Sequence, residues 1–194
     1  RYSTANKENT FHADINLGLK KWSFLSSFTF SKSDDLKMGK NGGQDSYLRP
    51  EYVERINGID SIVKNTDPRI QRFSGYEQIN FLQKIRFKPS QHLDMQYSFT
   101  YAGTGDAARY DRLIQYRNGR LRFAEWNYGP MLWRMHNVQV LHSKKNVLYN
   151  GLRTTIAYQN YDESRIDRTR ANNTRNTQAE KVNAISFNLD ATKK

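Results

Sequence analysis

The sequence predicts an all-β fold, an antiparallel up-and-down meander of about seven strands belonging to a larger transmembrane β-barrel. Three observations predict it. Segments of about ten residues alternate apolar and polar side chains, which gives each strand one apolar and one polar face. Very short turns alternate with loops far longer than the usual connection of about four to six residues. Aromatic residues (Trp22, Tyr76, Tyr101, Trp133 and Tyr158) gather near strand ends, where the girdles of a membrane barrel belong.

Strand one, about 11–20, sets Phe11, Ala13, Ile15, Leu17 and Leu19 against His12, Asp14, Asn16, Gly18 and Lys20. After a turn at Lys20-Lys21, strand two, about 22–32, sets Trp22, Phe24, Phe28 and Phe30 against Ser23, Ser27, Thr29 and Ser31. A loop over about 33–72 follows, with turn formers Gly42-Gly43, Pro50, Gly58 and Pro68. Within it, residues 49–56 read as a short helix after Pro50. Strand three, about 75–88, places Ile79, Phe81, Ile85 and Phe87 opposite Asn80, Lys84, Arg86 and Lys88, with Leu82 as an exception. A compact turn through Pro89 leads to strand four, about 91–101, the most regular: Leu93, Met95, Tyr97, Phe99 and Tyr101 against His92, Asp94, Gln96, Ser98 and Thr100.

The second long loop covers about 102–132. Strand five, about 133–143, has Val138 and Val140 on one face but Met135 and Leu141 on the other, so its lipid side is left unassigned and a bulge is allowed. A turn at Ser143-Lys144-Lys145-Asn146 leads to strand six, about 146–158, with Leu148, Leu152, Ile156 and Tyr158 in phase. The third loop, about 159–179, is highly polar, and residues 171–178 read as mobile. Strand seven, about 181–191, sets Ile185, Phe187, Leu189 and Ala191 against Val182, Ala184, Ser186, Asn188 and Asp190, and Lys193-Lys194 marks the next short turn.

The strand and loop layout points to the cell outer membrane, and composition does not exclude it. The chain is 37% hydrophobic with a mean hydropathy of −0.90, and no stretch approaches the roughly 18 apolar residues of a spanning helix. A barrel tolerates this polarity, because only alternate strand residues meet lipid. The net charge of +12 raises nucleic acid as a partner. The charge is divided, however: lysines mark the short turns, whereas Arg109, Arg112, Arg117, Arg120 and Arg122, then Arg165, Arg168, Arg170 and Arg175, occupy the long loops. Two basic rims suit two membrane–water interfaces, with outer-membrane lipid and lipopolysaccharide as partners and no nucleic acid. Seven strands are an odd number for a bacterial barrel, and open edges in lipid cost several kcal/mol per unpaired group. The chain therefore reads as part of a barrel. Its first ten residues are not a signal peptide, so a leader has been removed or the chain is an internal piece of a longer protein.

Loop two narrows the reading. It runs Gly103-Thr104-Gly105-Asp106-Ala107-Ala108-Arg109-Tyr110-Asp111-Arg112-Leu113, then Ala124-Glu125-Trp126-Asn127-Tyr128-Gly129-Pro130. This resembles the barrel region of TonB-dependent outer-membrane receptors of the Bacteroidetes type, where an aromatic-Thr-Tyr strand end leads into an "RYDRL" segment and an aromatic-Gly-Pro approach to the next strand. The resemblance covers most of the chain in layout and about thirty residues in motif. It implies a barrel of about 22 strands with an N-terminal plug. Such a receptor imports a scarce, bulky ligand (siderophore, haem, cobalamin, glycan or peptide) on energy relayed by TonB. The plug and the TonB-contacting segment would lie upstream of Arg1.

Candidate chemistry is confined to binding. His12, His92 and His142 are assigned to polar lumen positions near short turns, and His136, nearer the loop end of strand five, is the only histidine attractive as a ligand. Their spacing makes no metal site, and no cofactor is implied. Adjacent acids at Asp34-Asp35 and Asp162-Glu163 read as solvated loop charge, no nucleophile–base set is present, and no catalytic residue is assigned: the chain reads as no enzyme. The ligand-contact candidates are Arg109, Tyr110, Arg112, Tyr116, Arg117, Trp126 and Tyr128, which combine cationic forks with aromatic faces. Packing between loops, or pairing with lipopolysaccharide phosphates, draws on the same residues. Two alternatives remain at this point: a passive outer-membrane channel or adhesin, and a soluble basic β-domain that binds polysaccharide or nucleic acid.

Overall fold

The computed structural model describes residues 1–41 and 47–193. Gly42-Gly43 and Lys194 lie outside the described residues. In chain order the elements are β1 (Tyr2–Ser3), β2 (Glu8–Gly18), β3 (Trp22–Lys32), β4 (Glu51–Ile56), β5 (Ile59–Lys64), β6 (Glu77–Phe87), β7 (Leu93–Thr104) and β8 (Ala107–Ala108). Then come α1 (Tyr110–Leu113), β9 (Tyr116–Arg117), β10 (Arg120–Leu121), β11 (Phe123–Tyr128), β12 (Met131–His142), β13 (Gly151–Thr169) and β14 (Asn176–Thr192). The fold is all-β. Its frame is an antiparallel meander in the order β2-β3-β6-β7-β12-β13-β14, with each long strand paired to the next. Among the described residues the sheet does not close: β14 pairs only β13, and the outer edge of β2 meets only the two-residue β1.

Register settles which side chains share a face. One row crosses every long strand: Leu17, Phe24, Ile85, Tyr97, Val138, Ile156 and Phe187 stand opposite one another in turn. The neighbouring row is Gly18, Ser23, Arg86, Gln96, Gln139, Thr155 and Asn188. The sheet thus has one apolar and one polar face across its whole width. The apolar face is uncovered: Phe11, Leu17, Ile185 and Phe187 are all more than half exposed. Trp22 stacks on Phe87 at 4.2 Å at the short-turn end of that face.

Strand five is resolved by its neighbours. β12 pairs without interruption to His142 on both sides, from Met131 with β7 and from Leu132 with β13, so it carries no bulge. Val138 and Val140 lie on the apolar face; Met135, Leu141 and also Trp133 lie on the polar one, where Trp133 donates to Gln159 at 3.3 Å. The irregularity falls instead in β11, between Phe123 and Glu125. His142 is a correction as well: its register with Leu93 and Leu152 puts it on the apolar face, bonded to Tyr149.

Several boundaries differ from the sequence expectation. The expected helix at 49–56 is strand β4, paired with β5 through an Asn57-Gly58 turn whose φ angles are 50° and 81°. Asn-Gly with both residues at positive φ is the preferred two-residue hairpin turn, and the β-branched residues around it outweigh the helix-start preference of Pro50. Strand six begins at Gly151 rather than 146, because Asn146 closes a turn onto Leu148 and Tyr149 through its side chain. It then runs to Thr169, and β14 starts at Asn176, so the third loop shrinks from 159–179 to 170–175. The expected mobile stretch accordingly contributes residues 176–178 to the ladder. The physical reason is simple. Ladder hydrogen bonds need no apolar face, so a strand that leaves the apolar zone continues through polar residues and loses its hydropathy period.

Loop two is also structured. After Gly129-Pro130, β12 continues the edge that β11 forms on β13. Gly129 has φ of 118°, and a Cβ there would sit 2.6 Å from the Gly105 carbonyl oxygen, so only glycine fits.

Candidate functional site

The packed core lies at the loop end, away from the exposed sheet faces. Val53 from β4, Leu113 from α1, Leu121 from β10, Phe123 from β11 and Ile166 from β13 are buried there. β9 and β10 form a second hairpin through Asn118-Gly119, again at positive φ, and Leu121 on its inner side reaches the core. α1 is short but fixed at its start: the Arg109 amide donates to the Trp126 carbonyl at 2.9 Å, and Leu113 and Ile114 bond back to Arg109 and Tyr110. That turn drops Leu113 inward and leaves the Arg109 side chain over β11.

Loop one is clamped to this lobe by charge. Arg168 of β13 donates to Asp60 of β5 at 2.6 Å, with both side chains nearly buried, and the Ala171 amide donates to the same oxygen at 2.8 Å. The Arg168 hydrogen bond holds the Asp60 carboxyl below the usual carboxylate range, against the opposing effect of burial. Arg49 is fully buried. It donates to the Arg72 carbonyl and lies 5.5 and 5.6 Å from the ring centres of Phe73 and Tyr110. Burial pushes its guanidinium down to about 10.

The seven residues chosen from the sequence separate into two groups and two single residues. Arg109, Trp126 and Tyr128 come together: Arg109 sits 5.0 Å from the Trp126 ring centre and 5.9 Å from that of Tyr128, and the two rings meet edge-on at 5.1 Å. Arg165 approaches Tyr128 at 5.9 Å and completes an alternation of cations and rings. Tyr110 and Tyr116 instead pack loop on loop, donating to the Tyr47 carbonyl (2.6 Å) and to Glu51 (3.0 Å). Burial raises both phenols, and Glu51 adds to the rise at Tyr116. Arg112 stays 3.9 Å from Asp111. Arg117 lies apart, beside a cleft of about 510 Å³ shared with Arg120, Arg122 and Arg170.

No known protein family, curated protein or solved structure matches the chain.

The chemistry open to the Arg109 group follows from its geometry. Asp111 bonds Arg109 at 2.9 Å and orients its guanidinium. Flat or anionic groups can stack on Trp126 and Tyr128 while bonding to the guanidinium forks. Two cavities of about 730 Å³ flank the lobe, and neither is lined by any of the seven chosen residues. Phe73 lines both, and Asp35 and Arg72 line the first, Arg168 and Arg175 the second. Sequence reasoning missed Arg165 as a partner of Tyr128, because the strand that aligns them was read as loop. The histidines are dispersed: His12 meets Thr29 at 2.8 Å on the polar face, His92 meets the Ser143 carbonyl at 2.8 Å, and His136 meets the Tyr97 hydroxyl at 2.9 Å on the apolar face. Among the described residues no three metal-ligating side chains converge, and no helix is long and apolar enough to cross a membrane.

Proposed function

We propose that this chain forms part of the wall of an outer-membrane β-barrel of the TonB-dependent receptor type, and that its loop-end lobe contacts the imported ligand. The observation that carries the membrane reading is the uncovered apolar face spanning all seven long strands, backed by a polar face. Soluble monomers rarely expose a contiguous apolar patch beyond a few hundred Å². Several polar groups on the apolar face have partners, which suits a lipid environment: Ser26 donates to Gln83 at 2.6 Å, Tyr97 pairs with His136, and Asn160 donates to Asn183 at 3.0 Å. The unpaired edges of β2 and β14 are where further wall strands would add. Short turns then face the periplasm and the lobe faces outside.

Ligand contact is assigned to Arg109, Trp126, Tyr128 and Arg165, a half-buried surface suited to planar, anionic or sugar-like groups. The role of this segment is binding and passage, with no bond made or broken in the cargo. The membrane reading is tested by arginine substitutions along β14 in the full-length protein. At lipid-facing positions arginine costs about 2–4 kcal/mol near the bilayer midplane. Ile185→Arg and Phe187→Arg should block assembly into heat-modifiable outer-membrane protein, whereas Ser186→Arg and Asn188→Arg should assemble. Equal tolerance at all four positions rejects the barrel. Cargo uptake that persists in cells lacking TonB would favour the passive channel instead.

A further inference from the structure

The arginines of the loop end differ in how their charge is met. Arg55, Arg168 and Arg175 pair with Asp60, Asp60 and Glu125, while Arg69, Arg72, Arg109 and Arg165 pair with Asp67, Asp35, Asp111 and Glu163. Arg117, Arg120, Arg122 and Arg170 have no carboxylate in ion-pairing distance among the described residues, and they line one cleft of about 510 Å³ together with Asn118 and Thr169.

The backbone holds this crowding in place. Arg117 and Arg120 stand directly opposite each other across the tight β9–β10 hairpin, a position where like charges destabilise. Arg120 and Arg122 flank buried Leu121, so alternation sends both side chains to the other side of the strand. Arg122 is pinned at both ends, its amide donating to Gln115 at 2.8 Å and its carbonyl accepting from Arg170 at 3.0 Å. Arg170 is oriented by a bond from its Nε to the Leu121 carbonyl at 3.2 Å, and the Arg122 guanidinium lies 4.6 Å from the Phe123 ring centre. The guanidiniums are thus gathered at the β9–β10 hairpin and the end of β13 without a carboxylate counter-charge among the described residues.

We propose that this cleft is a second binding site, separate from the Arg109 surface, for a polyvalent phosphate group. Arginine forks match phosphate oxygens in bidentate pairs, and the cleft volume admits a diphosphate or a phosphorylated sugar. The phosphate can belong to a membrane glycolipid headgroup or to a soluble anion. The site does not depend on the transport reading.

The test uses the full-length protein in detergent and inorganic pyrophosphate as the probe. Wild type should bind it saturably, and Arg117→Gln/Arg120→Gln and Arg122→Gln/Arg170→Gln should each bind at least tenfold more weakly, with unchanged amide protection of Leu113 and Ile114. Replacing the four arginines by lysine should give an intermediate loss, because charge remains and the fork does not. Should the glutamine variants fail to fold, wild type still decides the matter. Pyrophosphate should slow phenylglyoxal modification of these four arginines, and chloride at equal ionic strength should not. Equal affinity in folded variants, or no selective protection of the four, overturns the proposal. Competition by diphosphoryl lipid A, but not by its dephosphorylated form, assigns the phosphate to the membrane; absence of competition by either assigns it to a soluble anion.

Discussion

Replacing Asp60 by alanine should release loop one from the lobe. The carboxylate accepts from Arg168 at 2.6 Å and from the Ala171 amide at 2.8 Å, and Arg55 lies 3.9 Å from its other oxygen. The Arg168 and Asp60 side chains are 9% and 3% exposed, so water does not replace what is removed. Taking one partner from a buried pair costs about 3–5 kcal/mol. Arg168 keeps a bond to the Asn172 carbonyl at 3.0 Å, which places this case near the lower end. A loss of about 3 kcal/mol corresponds to roughly a 150-fold rise in the open population of the β4–β5 hairpin, at 1.36 kcal/mol per tenfold change. Hydrogen exchange of the Tyr52 and Val63 amides, which face each other as a hydrogen-bonded pair of the β4–β5 ladder, reads this directly in the full-length protein, with β6 and β7 amides as the internal reference. The double variant Asp60→Leu/Arg168→Met should recover most of the protection, because it removes both charges and keeps volume. An exchange change below about threefold in Asp60→Ala, a small fraction of that 150-fold, refutes the clamp.

The same pair sets an acid limit. Because the folded state holds Asp60 below its ordinary value near 3.9, its contribution is fully present above that value and is lost as pH falls through the lower folded value. Titration of the Asp60 carboxyl signal by NMR should therefore find its midpoint below that of a solvated aspartate. Arg49→Met should leave lobe protection unchanged or raise it, since burial already pushes the guanidinium to about 10 and its Nε has no hydrogen-bond partner. A fall in lobe stability of several kcal/mol in Arg49→Met would show the cation to be structurally required. Gly58→Val meets no atom within 4 Å, so its cost is backbone strain alone at φ of 81°. That strain, about 1–2 kcal/mol, should raise hairpin exchange roughly tenfold, whereas Gly39→Ala, also in open space but without a positive φ, should change nothing.

The long strands were legible because their signal is local. Alternation in Leu93-Asp94-Met95-Gln96-Tyr97-Ser98-Phe99 assigns two faces from a handful of neighbours, and the short turns at Lys20-Lys21 and Pro89 mark where strands reverse. The same local test fails where both faces are polar. Residues 159–169 and 176–180 contain Asp162, Glu163, Arg165, Asp167 and Glu180, and their pairing depends on the partner strand rather than on any apolar period. It fails in β12 for another reason: apolar residues fall on both sides, so only the registers with β7 and β13 assign Val138 to the apolar face. The Asn57-Gly58 hairpin carried a readable turn signal, which the preference of Pro50 for helix starts overshadowed.

The candidate site divides along the same line. From Arg109, Trp126 and Tyr128 the sequence supplies the residue types and a shared loop, whereas their stacking with Arg165 requires β11 to lie beside β13. The pairing of Arg168 with Asp60 spans 108 positions, and that of Arg175 with Glu125 spans 50. Sequence alone determined the all-β class, the seven long strands and the two-faced character, because each is written in the side chains of adjacent residues. Tertiary structure decided which arginines are neutralised and which are left to share a cleft, because a charge finds its partner through space and chain proximity carries no record of that meeting.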